Sequence, residues 1–144
     1  MYCPRLRHFV RLNQNGSIGK CGHMVNAIGY KTFKDLDESQ WLQDIEDTMS
    51  KDKWPAECVR CEHTEKVSGE SIRTKSIERH KILHPLKENY LIVGGVLDNV
   101  CNSACQTCYS GLSTKIGSLE GKLYKRVDNY ETFWQLPLKT TKKY

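Results

Sequence analysis

Three cysteines stand as Cys101-x3-Cys105-x2-Cys108 in the run LDNVCNSACQTCY, residues 97–109. Thiolates clustered this closely can bind three irons of a four-iron, four-sulfur cluster and leave the fourth iron open to an outside ligand. A metal site that closes its coordination is structural, whereas an open position does chemistry. The other cysteines are Cys3, Cys21, Cys58 and Cys61, a full set for a closed tetrahedral site. They come as a wide pair, Cys3-x12-Gly16-x4-Cys21, and a tight knuckle, Cys58-x2-Cys61. Zinc competes at both places. The triplet could borrow His84, and the front set has His23 and His63 nearby, although paired two-cysteine knuckles are the commoner zinc pattern.

The elements that must position these thiols can be read from local pattern. His8, Val10 and Leu12 alternate with Phe9 and Arg11, and Asn13-Gln14-Asn15-Gly16 is a turn, so residues 8–21 predict a hairpin. That hairpin would bring Cys3 and Cys21 to one end of a small sheet. Residues 24–36 read as irregular, with a turn at Gly29. Trp41, Leu42, Ile45 and Met49 recur at helical spacing after Asp37, the expected cap, and Pro55 breaks the run. Residues 62–83 are polar and helical with a break at Gly69. Their Arg73, Lys75, Arg79 and Lys81, with Glu65, Glu70 and Glu78, read as a solvated surface.

Pro85 closes that helix, and YLIVGGVL at 90–97 reads as a buried strand that delivers the triplet at its carboxyl end. Open α/β sheets and βα barrels place their ligands there. A short helix is expected within 110–121. Tyr124, Val127, Tyr130, Phe133 and Trp134 read as core packing, and 139–144 as a frayed tail.

The 144 residues suffice for one modest core. Mean hydropathy of −0.61 with 27% charged residues is a soluble composition, and no membrane partner is expected. The start, MYCPRLRHFV, lacks a signal-peptide core, so a cytoplasmic location is expected. A reducing compartment assigns seven cysteines to metal rather than disulfides. The net charge of +5 comes from dispersed basic residues, including Lys139, Lys142 and Lys143. Without a basic stripe interleaved with aromatics, nucleic acid is not the expected partner.

At Cys101, Cys105 and Cys108 the chain resembles the radical S-adenosylmethionine (SAM) enzymes, whose signature is C-x3-C-x2-C after the first strand of a partial βα barrel. The family's aromatic residue before the third cysteine is Thr107 here, with Tyr109 just after. The front cysteines resemble the twitch domain, a shorter relative of the SPASM domain, which opens with a cysteine and then G-x4-C on a hairpin. The resemblance implies an oxidoreductase- or transferase-type enzyme of α+β class. Residues 1–85 would form a hairpin-and-helix domain around an auxiliary iron–sulfur cluster, with zinc as the alternative. Residues 86–144 would begin an incomplete TIM-type βα barrel.

It further implies a catalytic 4Fe-4S cluster on Cys101, Cys105 and Cys108, SAM as co-substrate, and Tyr109 among the cofactor contacts. The electron donor would be a reduced flavodoxin or ferredoxin-type protein, and the substrate a peptide or small molecule. A complete barrel takes on the order of 200 residues, so the chain is expected to be an amino-terminal fragment or a natural truncation. The alternative function is a zinc-stabilised binding module without activity, with nucleic acid as its candidate partner on account of the positive charge.

Overall fold

The computed structural model describes residues 1–87, 89–101, 105–122 and 127–137. The class is α+β, with several helices around a small sheet. The chain opens with a one-turn helix, α1 (Arg5–His8), which runs into β1 (Phe9–Leu12). Val10 and Leu12 are fully buried while Arg11 faces out, the alternation a half-buried strand requires. The expected hairpin forms, with β2 (Ile18–Gly19) antiparallel to β1 and Leu12 opposite Ile18. Its turn is closed by Asn13 N–H donating to the Ser17 carbonyl at 2.8 Å and by Gly16 at φ +83°. His8, expected on the strand, belongs to α1.

Residues expected to be irregular contain α2 (Phe33–Asp37), capped by Thr32, and Gly29 makes no turn. The helix α3 (Gln40–Ser50) buries Leu42, Ile45 and Met49 as its spacing predicts. Its cap is Ser39, whose Oγ accepts from Leu42 N–H at 3.2 Å. Asp37 ends α2 instead and faces Arg7 at 3.6 Å and Lys20 at 3.9 Å. After a 3₁₀ turn come α4 (Val59–Ser68) and α5 (Ile72–Leu83). Gly69 separates them in the left-handed region at φ +74°, and a Ser71–Thr74 capping box starts α5.

The strand β3 (Ile92–Gly95) runs parallel to β1, giving the order β2-β1-β3, so strands from both sides of residue 85 share one sheet. It is half-buried rather than buried, because it lies at the sheet edge. Phe9 lies across Gly94, and a side chain at Gly95 would collide with the Leu12 carbonyl, so the Gly-Gly pair seats the strand end against β1. The expected short helix is α6 (Thr114–Leu119), capped by the buried Ser113.

The last described helix is α7 (Tyr130–Trp134). Of the apolar set expected in the core, Val127 is buried, but Tyr130 and Trp134 are exposed, the latter at 73%. Leu136, just past the set, takes the core position. Tyr124 and the tail 139–144 lie outside the described residues.

Two hydrophobic clusters result. One packs Leu6, Met24, Leu42, Ile45 and Met49 with Cys21 and Cys58; the other packs Val10, Leu12, Ile18, Leu36 and Leu136. Trp41 packs against both.

Candidate metal centres

The four front cysteines line one cavity. Cys3 enters from the chain just before α1, and Cys21 follows β2. Cys58 sits at the 3₁₀ turn, where its N–H donates to the Pro55 carbonyl at 2.9 Å, and Cys61 lies in the first turn of α4. Leu6, Met24, Met49, Trp54 and Ile72 form the apolar wall, and the His23 side chain also lines it. The cavity measures about 20 Å³. The expected convergence of hairpin and knuckle is therefore present in the fold.

Burial pushes the Cys58 thiol up to about 12, and the neighbouring thiols Cys3, Cys61 and Cys21 push it the same way. Cys3 rises to about 11, again from burial first, with Cys21 and Cys61 contributing. Four crowded, desolvated thiols are a donor set whose charged form needs a cation beside it. Among the described residues, no three Cys, His, Asp or Glu side chains are yet set around a common point as ligands of one ion. The chemistry and placement of the set suit a four-thiolate site, and ligation would draw the sulfurs inward.

A polar brace holds the two halves of this site together. Arg73 donates from Nε to Glu65 Oε1 at 2.9 Å and from Nη2 to Glu65 Oε2 at 2.5 Å. Its Nη1 reaches the Tyr2 carbonyl at 2.9 Å, next to Cys3, and its guanidinium lies over Trp54. Ser71 Oγ completes the network on Glu65 Oε1 at 2.5 Å. The Arg73 hydrogen bonds hold the Glu65 carboxyl below its ordinary range. The pair is 16% and 15% exposed, so both residues leave the solvated surface to which sequence assigned them. The reason is the left-handed turn at Gly69, which folds α5 back so that Arg73 faces α4.

The triplet sits differently. Cys101 and Cys108 are half-buried and Cys105 is exposed; residues 102–104 lie outside the described residues. Cys101 is held by its backbone against the start of α6. Its N–H donates to Thr114 Oγ1 at 3.2 Å, and its carbonyl accepts from Thr114 Oγ1 at 3.1 Å and from Lys115 N–H at 3.0 Å. Cys108 N–H donates to the Cys105 carbonyl at 3.0 Å, a tight turn between the last two thiols. Tyr109 is exposed, and its hydroxyl accepts from Gln14 Nε2 at 2.7 Å, which ties the triplet loop to the hairpin turn.

Two buried asparagines, neither found from sequence, fix the loop's approach. Asn99 Oδ1 accepts from Val127 N–H at 2.9 Å, and its carbonyl accepts from Thr114 N–H at 3.0 Å. Asn129 Nδ2 donates to the Asn13 carbonyl at 3.0 Å and to the Val96 carbonyl at 2.6 Å, joining the hairpin turn to the end of β3. Both asparagines are 2% exposed or less.

Of the histidines, His23 lines the front thiol cavity. His63 is exposed, while His8, His80 and His84 gather around Tyr90 on another face. No helix among the described residues is long and apolar enough to cross a membrane. Comparison with protein-family models, with curated proteins and with solved structures finds no match to this chain.

Proposed function

We propose that this chain is a radical SAM enzyme or a part of one. The observation that carries the reading is the placement of the triplet. The strand β3 lies parallel to β1, and the C-x3-C-x2-C loop leaves from the carboxyl end that the two strands share. Ligand sites of parallel α/β architectures lie at that end. In this reading β3, the loop and α6 form the first βα unit of a barrel.

Cys101, Cys105 and Cys108 would hold a 4Fe-4S cluster, which when bound supplies the electron that cleaves SAM to methionine and a 5′-deoxyadenosyl radical. The chain's own contribution is positional. Thr114 and Lys115 fix the Cys101 backbone, and the Cys105–Cys108 turn sets the spacing of the other two thiols. The exposure of Cys105 leaves the outer face of the loop open to an incoming ligand. Tyr109 stands beside that face as a contact for SAM. A flavodoxin- or ferredoxin-type protein would supply the electron, and the hydrogen donor would be a peptide or small molecule.

Cys3, Cys21, Cys58 and Cys61 would hold an auxiliary iron–sulfur cluster. One observation favours zinc there instead. A cavity of about 20 Å³ has room for about one water-sized species as it stands, which suits a single ion. An iron–sulfur cluster needs more room than that.

Iron, acid-labile sulfide and zinc per chain, measured on protein purified without oxygen, separate the readings. About eight irons with equal sulfide mean two clusters, and about four irons with one zinc keep the triplet and make the front site structural. Zinc without sulfide ends the enzyme reading and leaves a metal-stapled binding module. In the complete enzyme, Cys105→Ala is expected to abolish SAM cleavage; undiminished cleavage would sink the assignment.

A further inference from the structure

Two arginines share a shallow cleft where α1, α5 and the segment before β3 come together. His8, Phe9, Ser76 and Tyr90 line it with Arg5 and Arg79. The Arg5 guanidinium lies over the Phe9 ring, 3.8 Å from its centroid. His8 stacks on Tyr90 at 4.4 Å between centroids. Burial raises the Tyr90 pKa and Arg79 opposes it, so the Arg79 charge is close enough to act on that phenol. Beside the cleft, His80 contacts both His8 and His84, and the exposed Tyr2 ring meets His80 edge-on.

The electrostatics of the lining are one-sided, since it carries no acidic side chain. Among the described residues neither Arg5 nor Arg79 makes an ion pair, whereas Arg7 is paired with Glu46 and Arg73 with Glu65. The Arg5 Nε is also buried without a hydrogen-bond partner. Glu78, the carboxylate next to Arg79 on α5, is taken by Lys81 at 2.7 Å. Guanidinium forks without a carboxylate match phosphate oxygens. The cleft itself holds about 10 Å³, the room of one water-sized group, so a phosphate-bearing ligand must lie across it rather than fill it. The exposed rings of Tyr2 and His84 are surfaces on which bases can stack. These side chains come from positions 2–9, 76–84 and 90, so the fold assembles a mixture of basic and aromatic groups that no single stretch of the sequence shows.

We propose that this face binds single-stranded nucleic acid, with phosphates on Arg5 and Arg79 and bases against Tyr2 and His84. Such binding is independent of the radical SAM reading. The net charge of +5 favours the approach of a polyanion, and the two arginines fix where it settles.

The test is fluorescence anisotropy of a labelled oligothymidylate about 16 nucleotides long, titrated with the full chain purified without oxygen. Saturable binding is expected, with an affinity that falls steeply between about 50 and 200 mM salt. Arg79→Gln and Arg5→Gln should each weaken binding about fivefold at ~0.1 M salt. Each should also cut the slope of log affinity against log salt by about 0.7, the signature of one lost phosphate contact. Tyr2→Ala should weaken binding about tenfold with the slope unchanged, because stacking releases no counterions. Arg79 is exposed, so its variant keeps the fold even where Arg5→Gln disturbs Phe9.

Absence of saturable binding, or unchanged affinity and slope in Arg79→Gln, overturns the proposal. Equal affinity for polyglutamate of matched charge also overturns it, since net charge alone would then account for the binding. Equal affinity for a duplex of the same length removes the stacking role of Tyr2 and His84 and overturns the single-strand assignment. A chain that binds the oligonucleotide and carries sulfide keeps this site and the radical reading, and one that binds it without sulfide keeps this site alone.

Discussion

The front cysteines and the triplet use the same side chain in opposite settings. Cys21, Cys58 and Cys61 are buried around one apolar cavity, beside an ion pair that braces it. Cys101, Cys105 and Cys108 lie on a loop whose backbone is anchored while its middle thiol faces solvent. Enclosure on all sides suits coordination that closes. Anchorage of the backbone alone suits coordination that stays open to a ligand. In the proposed reading this contrast puts stability in the first site and reactivity in the second, and it can be broken in both directions.

The largest effect is expected from the front ligands. Structural four-thiolate sites contribute on the order of 10 kcal/mol of binding free energy to the fold that holds them. Cys58→Ser should therefore lower the urea midpoint steeply and release the front metal, while Cys105→Ser shifts stability by less than about 0.5 kcal/mol. Equal destabilisation by the two variants would erase the distinction. Chelation of the wild-type chain should reproduce the Cys58→Ser result in the front cluster of Leu6, Leu42 and Ile45.

Next in size is the brace. Removing one partner of a largely buried, bidentate pair costs about 3 kcal/mol. Arg73→Ala should show that loss in urea denaturation, together with weaker retention of the front metal, because the Tyr2 carbonyl and α4 lose their shared clamp. Arg73→Lys should recover only part of it, since a lysine cannot span both Glu65 oxygens. A wild-type urea midpoint in Arg73→Ala would show that the clamp contributes nothing.

The triplet side has its own, smaller test. Asn129→Ala deletes two donations to the half-buried carbonyls of Asn13 and Val96, at a cost of about 2 kcal/mol. Hydrogen exchange should quicken around 95–99 and 127–130, with front metal content unchanged. Faster exchange around the front thiols would mean that the two sites are coupled through the sheet.

Local pattern made the first-order features legible, and tertiary closure hid the rest. The Asn-Gly turn and the apolar spacing of α3 each depend on neighbours in sequence, so the reading holds there. Arg73 meets Tyr2 across 71 residues and Asn129 meets Asn13 across 116, and no local spacing separates such polar side chains from solvated ones. The apolar run at 90–97 announced a strand but not its place at a sheet edge, because a short apolar run looks the same in either position. Ser39 rather than Asp37 caps α3 because α2 extends through Asp37 and leaves Ser39 as the first extended residue before the helix.

The smallest effect concerns the histidine cluster around Tyr90. His80 lies 4.8 Å from His8 and 4.9 Å from His84 between ring centroids, and its Nδ1 meets the Tyr90 hydroxyl at 2.7 Å. His8 stacks on Tyr90 and bonds its carbonyl through Nδ1 at 3.0 Å. Tyr2 meets His80 edge-on from the amino-terminal segment, Arg79 adjoins from α5, and Arg5 adjoins from α1. Burial holds the His80 imidazole below its ordinary pKa, and His8 and His84 add to the effect.

The unfolded chain therefore takes up the proton more readily than the folded one. This contribution is absent at pH 8 and destabilises progressively as pH falls below about 6.5, the ordinary histidine value. Urea midpoints across pH 5–8 should decline on the acid side in wild type and flatten in His80→Gln, which keeps a polar partner for Tyr90. Parallel acid declines in both proteins would remove His80 from the account. A Cys105→Ser background should leave the profile unchanged, since the triplet loop shares no contact with this cluster among the described residues.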